Sequence, residues 1–173
     1  MENKVLFTET QRFRQWWFWL VLVLINRINI WFLIKKYVYK ETFTNSAYHN
    51  SSGLEFATLI TLLVTILILI IKLETIIQTD QIEIRFFPFH LSFRKYPNNT
   101  IESAFVRTYN PITEYGGWGI RLGLFGKGKA FNVSGNQGIQ LVFNGGRKLL
   151  IGTQKPDEAS AVLQKAGYLK AEL

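Results

Sequence analysis

The chain has 173 residues, of which 48% are hydrophobic and only 18% are charged, below the roughly 25% charged residues of typical soluble domains. This length suits one modest domain, with or without a membrane anchor, and is too short for a multidomain enzyme. The lack of cysteine excludes disulfides, cysteine-ligated metals and thiol nucleophiles. A formal charge of +8 favours anionic partners such as lipid headgroups or nucleic acid.

Two apolar runs, residues 16–34 and 54–71, account for the hydrophobic excess. Each approaches the ~20 residues that a helix needs to cross a bilayer, and both exceed the ~10 residues of a long strand. No Ser, Ala or Gly precedes Ser46, so a cleavable signal peptide is disfavoured. Tryptophan and tyrosine flank the first run, as in interfacial aromatic belts. The pattern predicts a transmembrane hairpin with helices at 16–37 and 54–71.

The distribution of basic residues predicts the orientation of this hairpin. Five basic residues flank the membrane on the side of the termini, and three lie in the connecting loop. They are Lys4, Arg12, Arg14, Lys72 and Arg85 against Lys35, Lys36 and Lys40. The positive-inside rule then predicts a multi-pass protein of the cytoplasmic (inner) membrane with both termini cytoplasmic. Residues 1–15 form a cytoplasmic N-terminal segment, 38–53 an extracytoplasmic loop and 72–173 a cytoplasmic domain.

Polar residues interrupt the middle of the hairpin. With residue 34 level with residue 55, three polar residues of the first helix face three threonines of the second, and we expect them to form an intramembrane polar seam. The residues are Asn26, Arg27 and Asn29, with Thr58, Thr61 and Thr65. Arg27 would serve an ion or anionic-substrate path, or would snorkel or contact another subunit. Snorkelling or contact with another subunit is favoured, because Glu55 is the sole acidic residue of the apolar runs and lies roughly 10 Å along the helix axis from the position level with Arg27.

After residue 71 the pattern changes to period two in short runs, which predicts an α+β fold with strands followed by one helix. The predicted strands are Lys72–Gln78, Gln81–Phe87, Leu91–Tyr96, Ile101–Tyr109, Trp118–Leu124, Lys129–Val133, Gly138–Phe143 and Arg147–Gly152. A helix begins at Pro156 and ends near Gly167. The predicted architecture is an antiparallel sandwich or partly open barrel, capped by this helix.

Five segments carry a resemblance to a known family. They are QRFRQ (11–15), RFFPFH (85–90), YGGWGIR (115–121), FNVSGNQGIQL (131–141) and LLIGTQKP (149–156). With the order of elements, they resemble uncharacterised bacterial membrane proteins that pair two N-terminal transmembrane helices with a pleckstrin-homology-like (PH-like) domain. The resemblance implies a fold and a location. Lipid-binding PH domains carry clustered Lys and Arg in the first hairpin loop, where this chain has Thr79-Asp80-Gln81, so phosphoinositide binding is not supported.

If the strands form a meander, alternate turns return to the membrane. The first return would bring Arg85, Phe87 and Phe89 to the membrane surface, unless the phenylalanines belong to the core. The later near-membrane turns are 110–117, 134–137 and 153–156, and they carry the candidate ligand- or partner-binding residues. These are Trp118, Arg121, Asn132 and Asn136. Arg121 is the best single candidate for contact with an anion.

The sequence disfavours enzyme chemistry and predicts no cofactor and no metal site. His49 and His90 fall on opposite sides of the second membrane helix, and the glycines at 116–119 and 126–128 do not match phosphate-loop spacing. Residues 72–173 carry a charge of +5 (13 basic minus 8 acidic) but no nucleic-acid-binding motif. We therefore expect a non-enzymatic binding or assembly module whose partners are the lipid bilayer and a protein or another copy of the chain. The alternative is a subunit of a membrane pore or transport complex that uses the polar centre of the first helix.

Overall fold

The computed structural model describes residues 4–39, 51–123 and 126–168. The predicted loop residues 40–50, with His49, lie outside this range, as do Leu124 and Phe125. In chain order the elements are β1 Val5–Arg12, α1 Trp16–Tyr37, α2 Ser51–Ile70, β2 Lys72–Gln78, β3 Gln81–Phe87, β4 Arg94–Pro97, a 3-10 turn Asn98–Thr100, β5 Ile101–Thr108, α3 Pro111–Tyr115, β6 Gly119–Leu122, β7 Lys129–Asn132, β8 Gln137–Phe143, β9 Lys148–Gly152 and α4 Pro156–Lys165. They form two compact units, a helical one (Arg14–Ile70) and a β-rich one (Met1–Phe13 with Ile71–Leu173).

The helical unit is an antiparallel pair of apolar helices. Trp16–Tyr37 and Gly53–Ile70 are both long and apolar enough to cross a membrane, and only 11% of the most apolar window of each is buried. A core helix of a soluble protein would bury most of its apolar side chains. The low burial therefore favours a lipid environment for both helices.

The β unit contains two sheets. The first has the strand order β1-β2-β3-β4, and the second has the order β5-β8-β9-β7-β6. Aromatic side chains meet between them, with ring centroids 6.3 Å apart for Phe86 and Phe131 and 5.4 Å apart for Tyr96 and Phe143. The core of the unit lies along these contacts, where Phe86, Phe131 and Phe143 are buried.

The strand order corrects two expectations. The second sheet is not a meander, because β8 lies between β5 and β9, and it is not wholly antiparallel, because β7 pairs with β9 in parallel, Ala130 opposite Leu150. The strands β5 to β9 nevertheless alternate in direction along the chain, so the segments 110–117, 134–137 and 153–156 lie at one end of the second sheet, as the sequence analysis expects. The segment 110–117, expected to be a turn, contains the short helix α3.

The N-terminal segment supplies a strand that the sequence analysis did not predict. β1 pairs antiparallel with β2, from Thr8 opposite Ile76 to Arg12 opposite Lys72. Its buried face carries Phe7 together with two polar side chains, Glu9 and Gln11. A half-buried strand is recognised by apolar residues at alternate positions, so polar residues at two of three buried positions hid this strand.

The α+β class and the C-terminal helix are confirmed. Eight of the sixteen predicted strand bounds are exact and six differ by one residue. The largest difference is β4, which begins three residues late because Pro88–Phe89 form a turn and Leu91–Ser92 a bend. The hairpin predicted at Asn144-Gly145-Gly146 joins β8 to β9, and both glycines have φ near +90°. Within the described residues the strands form two sheets and do not close into a barrel.

Candidate ligand-binding site

Helix α3 organises the region of the predicted ligand-binding residues. Asn110 caps the helix, because its side-chain oxygen accepts hydrogen bonds from the backbone N–H groups of Ile112 and Thr113, both at 3.1 Å. Pro111 occupies the first helical position, where a missing N–H costs nothing. Gly116 ends the helix at φ 70°, a left-handed conformation that glycine adopts without strain.

A half-buried ion cluster ties α3 to β5 and to the segment before β7. The Glu114 carboxylate accepts hydrogen bonds from the Arg107 guanidinium at 3.0 Å, the Lys127 ammonium at 3.1 Å and the Asn110 N–H at 2.8 Å. Burial alone would raise the pKa of Glu114, but these hydrogen bonds outweigh it and lower the pKa to about 2. Glu114 is therefore ionised at neutral pH, and its charge is balanced locally.

Asn132 is a structural bridge. Its side chain is fully buried, its Oδ1 accepts from the Gly119 N–H at 2.9 Å, and its Nδ2 donates to the Tyr109 hydroxyl at 3.0 Å. Burial raises the pKa of Tyr109, so the hydroxyl stays protonated. Asn132 thus joins β6, β7 and the end of β5, and has no surface to offer a ligand.

Trp118, Arg121 and Asn136 lie at the surface. The Trp118 indole N–H donates to the Gly135 carbonyl at 3.2 Å, and Arg121 Nε donates to the Trp118 carbonyl at 2.9 Å. Asn136 is exposed, and its carbonyl accepts from the Tyr109 N–H at 2.8 Å. Among the described residues, no carboxylate forms an ion pair with Arg121, so its terminal nitrogens are available to an anionic partner.

A surface cleft of about 550 Å³ lies between α3 and the segment before β8. Trp118 and Asn136 line it together with Ile112 and Glu114, whereas Arg121 and Asn132 do not. Ile112 is 64% exposed. The mixture of apolar side chains and a charge-balanced carboxylate fits contact with a polypeptide better than binding of a multiply charged solute.

Next to this cleft, β6 forms an open edge of the second sheet. Within the described residues β6 pairs with β7 alone, and Ile120 and Leu122 are 42% and 72% exposed. At the opposite edge, β5 is partly covered, because the Ala104 N–H donates to the Tyr168 carbonyl at 3.0 Å. An uncovered apolar edge is a ready place for another chain to add a strand.

The predicted membrane-surface residues have mixed environments. Phe87 is half-buried and pairs with Lys72, which follows α2 by two residues. Phe89 is 58% exposed, as the prediction requires. Arg85 is instead occupied: its Nε donates to Glu74 at 2.6 Å, and its guanidinium lies 4.4 Å from the Phe93 ring centroid. The neighbouring Leu91, which the sequence analysis missed, is 78% exposed.

In the helical unit, the structure brings together most of the predicted seam. Asn26 Nδ2 donates to Thr65 Oγ1 at 2.9 Å, and Asn29 Nδ2 donates to Thr61 Oγ1 at 3.1 Å. These pairs shift the predicted register by one or two residues. Thr58 is buried, but its hydroxyl donates to the Leu54 carbonyl within its own helix.

Arg27 does not join the seam. Successive helix residues point about 100° apart, so the face that carries Asn26 and Asn29 turns Arg27 away, and its side chain is exposed. Glu55, the expected acidic neighbour, pairs with Lys36 at 2.8 Å and with the Tyr37 hydroxyl. Arg27 is therefore a charge on the outer surface of an apolar helix.

Comparison with known proteins adds no identification: no protein-family model and no curated protein sequence matches this chain. Within the described residues, no group of three or more His, Asp or Glu side chains is arranged to hold a metal ion.

Proposed function

We propose that this chain is a non-enzymatic binding module in the bacterial cytoplasmic membrane, with α1 and α2 as its anchor and a cytoplasmic PH-like β unit. The observation that carries this proposal is the connection between the helices and the β unit. β1 ends at Arg12, β2 begins at Lys72, and these two residues pair across the sheet. The apolar hairpin is thus an insertion at one point of a folded β unit, which supports a role for the hairpin as a separate anchor. Two sheets followed by a C-terminal helix support the PH-like assignment.

The partner surface that we propose is the open edge of β6 with the adjoining cleft. An extended segment of a partner protein, or of a second copy, would add a strand to this edge. Ile120, Leu122 and Ile112 supply apolar contacts, while Arg121 favours an acidic residue in the added segment. An exposed apolar edge strand can pair with the strands of unrelated chains and so promote aggregation. A bound partner in the same membrane would also protect this edge from such pairing.

Purification of the full-length protein in a mild detergent tests this proposal. We expect light scattering to give a mass above that of the monomer, and a partner or second copy to be present in stoichiometric amount. The double variant Ile120→Glu and Leu122→Glu should no longer bind this partner or second copy. The matched control is Val5→Glu with Phe105→Glu, which alters exposed apolar residues of other strands. A monomer without a stoichiometric partner, or equal loss in both variants, would contradict the proposed surface.

The alternative, a pore or transport subunit, is supported by Arg27 alone. Asn26 and Asn29 use their side chains within the hairpin, which leaves them poorly suited to line a path. A charge in the middle of a membrane helix costs roughly 3 kcal/mol on insertion scales, so Arg27→Leu should raise the level of protein in the membrane and preserve partner binding. Loss of cellular function with an intact fold and intact binding would favour the transport alternative.

A further inference from the structure

A small basic groove lies on the β unit, away from the cleft beside α3. Its volume is about 140 Å³, and it lies where the edge strand β4 meets strands of the second sheet. Four cationic side chains line it, with three aromatic rings among the other lining residues. These are Arg94, Lys129, Arg147 and Lys148, with Tyr96, Phe131 and Phe143. No acidic side chain among the described residues lines the groove.

The fold gathers these charges from three distant segments. Arg94 begins β4, where it pairs with Ile84 of the first sheet. Lys129 and Lys148 begin the parallel strands β7 and β9, in which Lys129 pairs with Leu149. Arg147 closes the β8–β9 hairpin, because its backbone carbonyl accepts a hydrogen bond from the Phe143 N–H at 2.8 Å. The convergence is therefore a product of non-local strand pairing and leaves no basic run in the sequence.

The aromatic rings hold the groove together. Phe143 lies 5.4 Å from the Tyr96 ring and 4.6 Å from the Arg147 guanidinium, a cation–π distance. Burial raises the pKa of Tyr96, against the lowering effect of the Arg94 and Arg147 charges. The Tyr96 hydroxyl is therefore protonated at neutral pH, and it accepts a hydrogen bond from the Arg94 side chain.

The charges of the groove are unbalanced within the described part of the chain. Several other cations of the β unit have carboxylate partners: Lys72 and Arg85 pair with Glu74, and Lys155 pairs with Glu158. No such ion pair involves any of the four groove cations. Like charges that converge without a counter-charge repel one another, and a bound anion would remove that repulsion.

We propose that this basic groove binds a phosphate group. An arginine guanidinium can donate two parallel hydrogen bonds to two oxygens of a phosphate, and a lysine ammonium adds a compact positive charge. The volume is well below the roughly 300–1,000 Å³ of pockets for drug-sized ligands, so the groove takes the phosphate and leaves the remainder of the molecule outside. A phospholipid headgroup and a soluble phosphate compound share this chemistry. The proposal goes beyond the partner surface at β6 and does not depend on it.

Calorimetric titration of the full-length protein in a neutral detergent, at fixed ionic strength, tests the groove. The probes are inorganic phosphate and dioctanoyl phosphatidylglycerol added to the micelles. We expect saturable binding of inorganic phosphate that weakens at least tenfold in Lys129→Gln with Lys148→Gln. The matched control, Lys4→Gln with Lys165→Gln, removes the same charge from exposed sites elsewhere on the β unit and should bind like the wild type.

The two probes distinguish the sources of phosphate. If phosphatidylglycerol binds and inorganic phosphate displaces it, the groove takes a lipid headgroup; binding of inorganic phosphate alone indicates a soluble ligand. A second variant, Arg94→Gln with Arg147→Gln, should weaken phosphate binding similarly, and circular dichroism reports whether each variant is folded. The absence of saturable binding to the wild type, or equal weakening in a folded groove variant and in the control, would overturn the proposal.

Discussion

Glu114 is the charged side chain on which the α3 region depends most. Hydrogen bonds from three partners, Arg107, Lys127 and the Asn110 N–H, hold its pKa at about 2, well below the usual value of 4.5. A carboxyl whose pKa is lowered by folding adds stability that is fully present above pH 4.5 and is lost as the pH falls through about 2. The shift corresponds to at most about 3 kcal/mol.

We therefore predict that Glu114→Gln lowers the free energy of unfolding by up to about 3 kcal/mol at pH 7, and that the difference from the wild type shrinks as the pH falls from 4.5 towards 2. Denaturant unfolding of the full-length protein in detergent, repeated across this pH range, measures both effects. Glu102, which is exposed, gives the matched control Glu102→Gln. A constant difference at all pH values would contradict the ionic role of Glu114.

Residue roles were the hardest feature to predict from sequence. Asn132 and Asn136 belong to the same sequence motif, and the sequence alone does not distinguish their environments. Asn132 is fully buried and bridges Gly119 to Tyr109, whereas Asn136 is exposed beside the cleft. Burial depends on strand pairing that is distant in sequence. The four groove cations were missed for the same reason, since residues 94, 129 and 147–148 converge only in the folded unit.

At the scale of elements, β1 joins the two sheets of the β unit. The Glu9 carboxylate is buried and accepts hydrogen bonds from the Thr153 hydroxyl and the Gln154 N–H, both at 2.7 Å. Gln11 Nε2 donates to the Gly152 carbonyl at 2.5 Å. The N-terminal strand thus holds the end of β9 and the approach to α4.

Glu9→Leu should remove the acceptor of both hydrogen bonds, leaving the buried Thr153 hydroxyl and the partly buried Gln154 N–H without it. A buried unsatisfied group costs about 1–3 kcal/mol and a partly buried one less, so we predict a loss of roughly 1–4 kcal/mol in the free energy of unfolding. Thr10→Leu, on the exposed face of the same strand, is the control and should change stability little. Equal effects of the two substitutions in thermal or denaturant unfolding would show that Glu9 does not hold this junction.

Elements that are defined by residues close together in the sequence were predicted, and elements that depend on distant strand pairing were not. Helix α1 has the predicted bounds because length and apolarity suffice to define it. The β8–β9 hairpin was predictable because its turn glycines and alternating strands are adjacent in sequence. β1 and the parallel β7–β9 pairing were not, since the first buries Glu9 and Gln11 and the second joins strands separated by β8.

At the scale of the whole molecule, the β unit is built from two parts of the chain that the helices separate. Arg12 and Lys72 are cross-strand neighbours, so a short turn is long enough to connect them. We predict that replacing residues 14–70 with a short glycine-rich turn gives a soluble, cooperatively folded β unit. The fragment 72–173 alone should be less stable, because it lacks β1 and leaves the edge of β2 open.

Circular dichroism and gel filtration without detergent test this pair of proteins. We expect the protein in which a turn replaces residues 14–70 to be monodisperse and folded, and the fragment 72–173 to be aggregated or loosely folded. Equal stability of the two would contradict the structural role of β1.

We propose that α1 and α2 anchor a cytoplasmic β unit in the membrane, and single-cysteine labelling of intact cells tests this arrangement. The natural chain contains no cysteine, so Ser46→Cys in the predicted loop and Asn144→Cys in the β8–β9 turn give unambiguous reporters. With a membrane-impermeant maleimide, we expect labelling at position 46 in intact cells and at position 144 only after permeabilisation. Protection of both positions, or labelling at position 144 in intact cells, would contradict it.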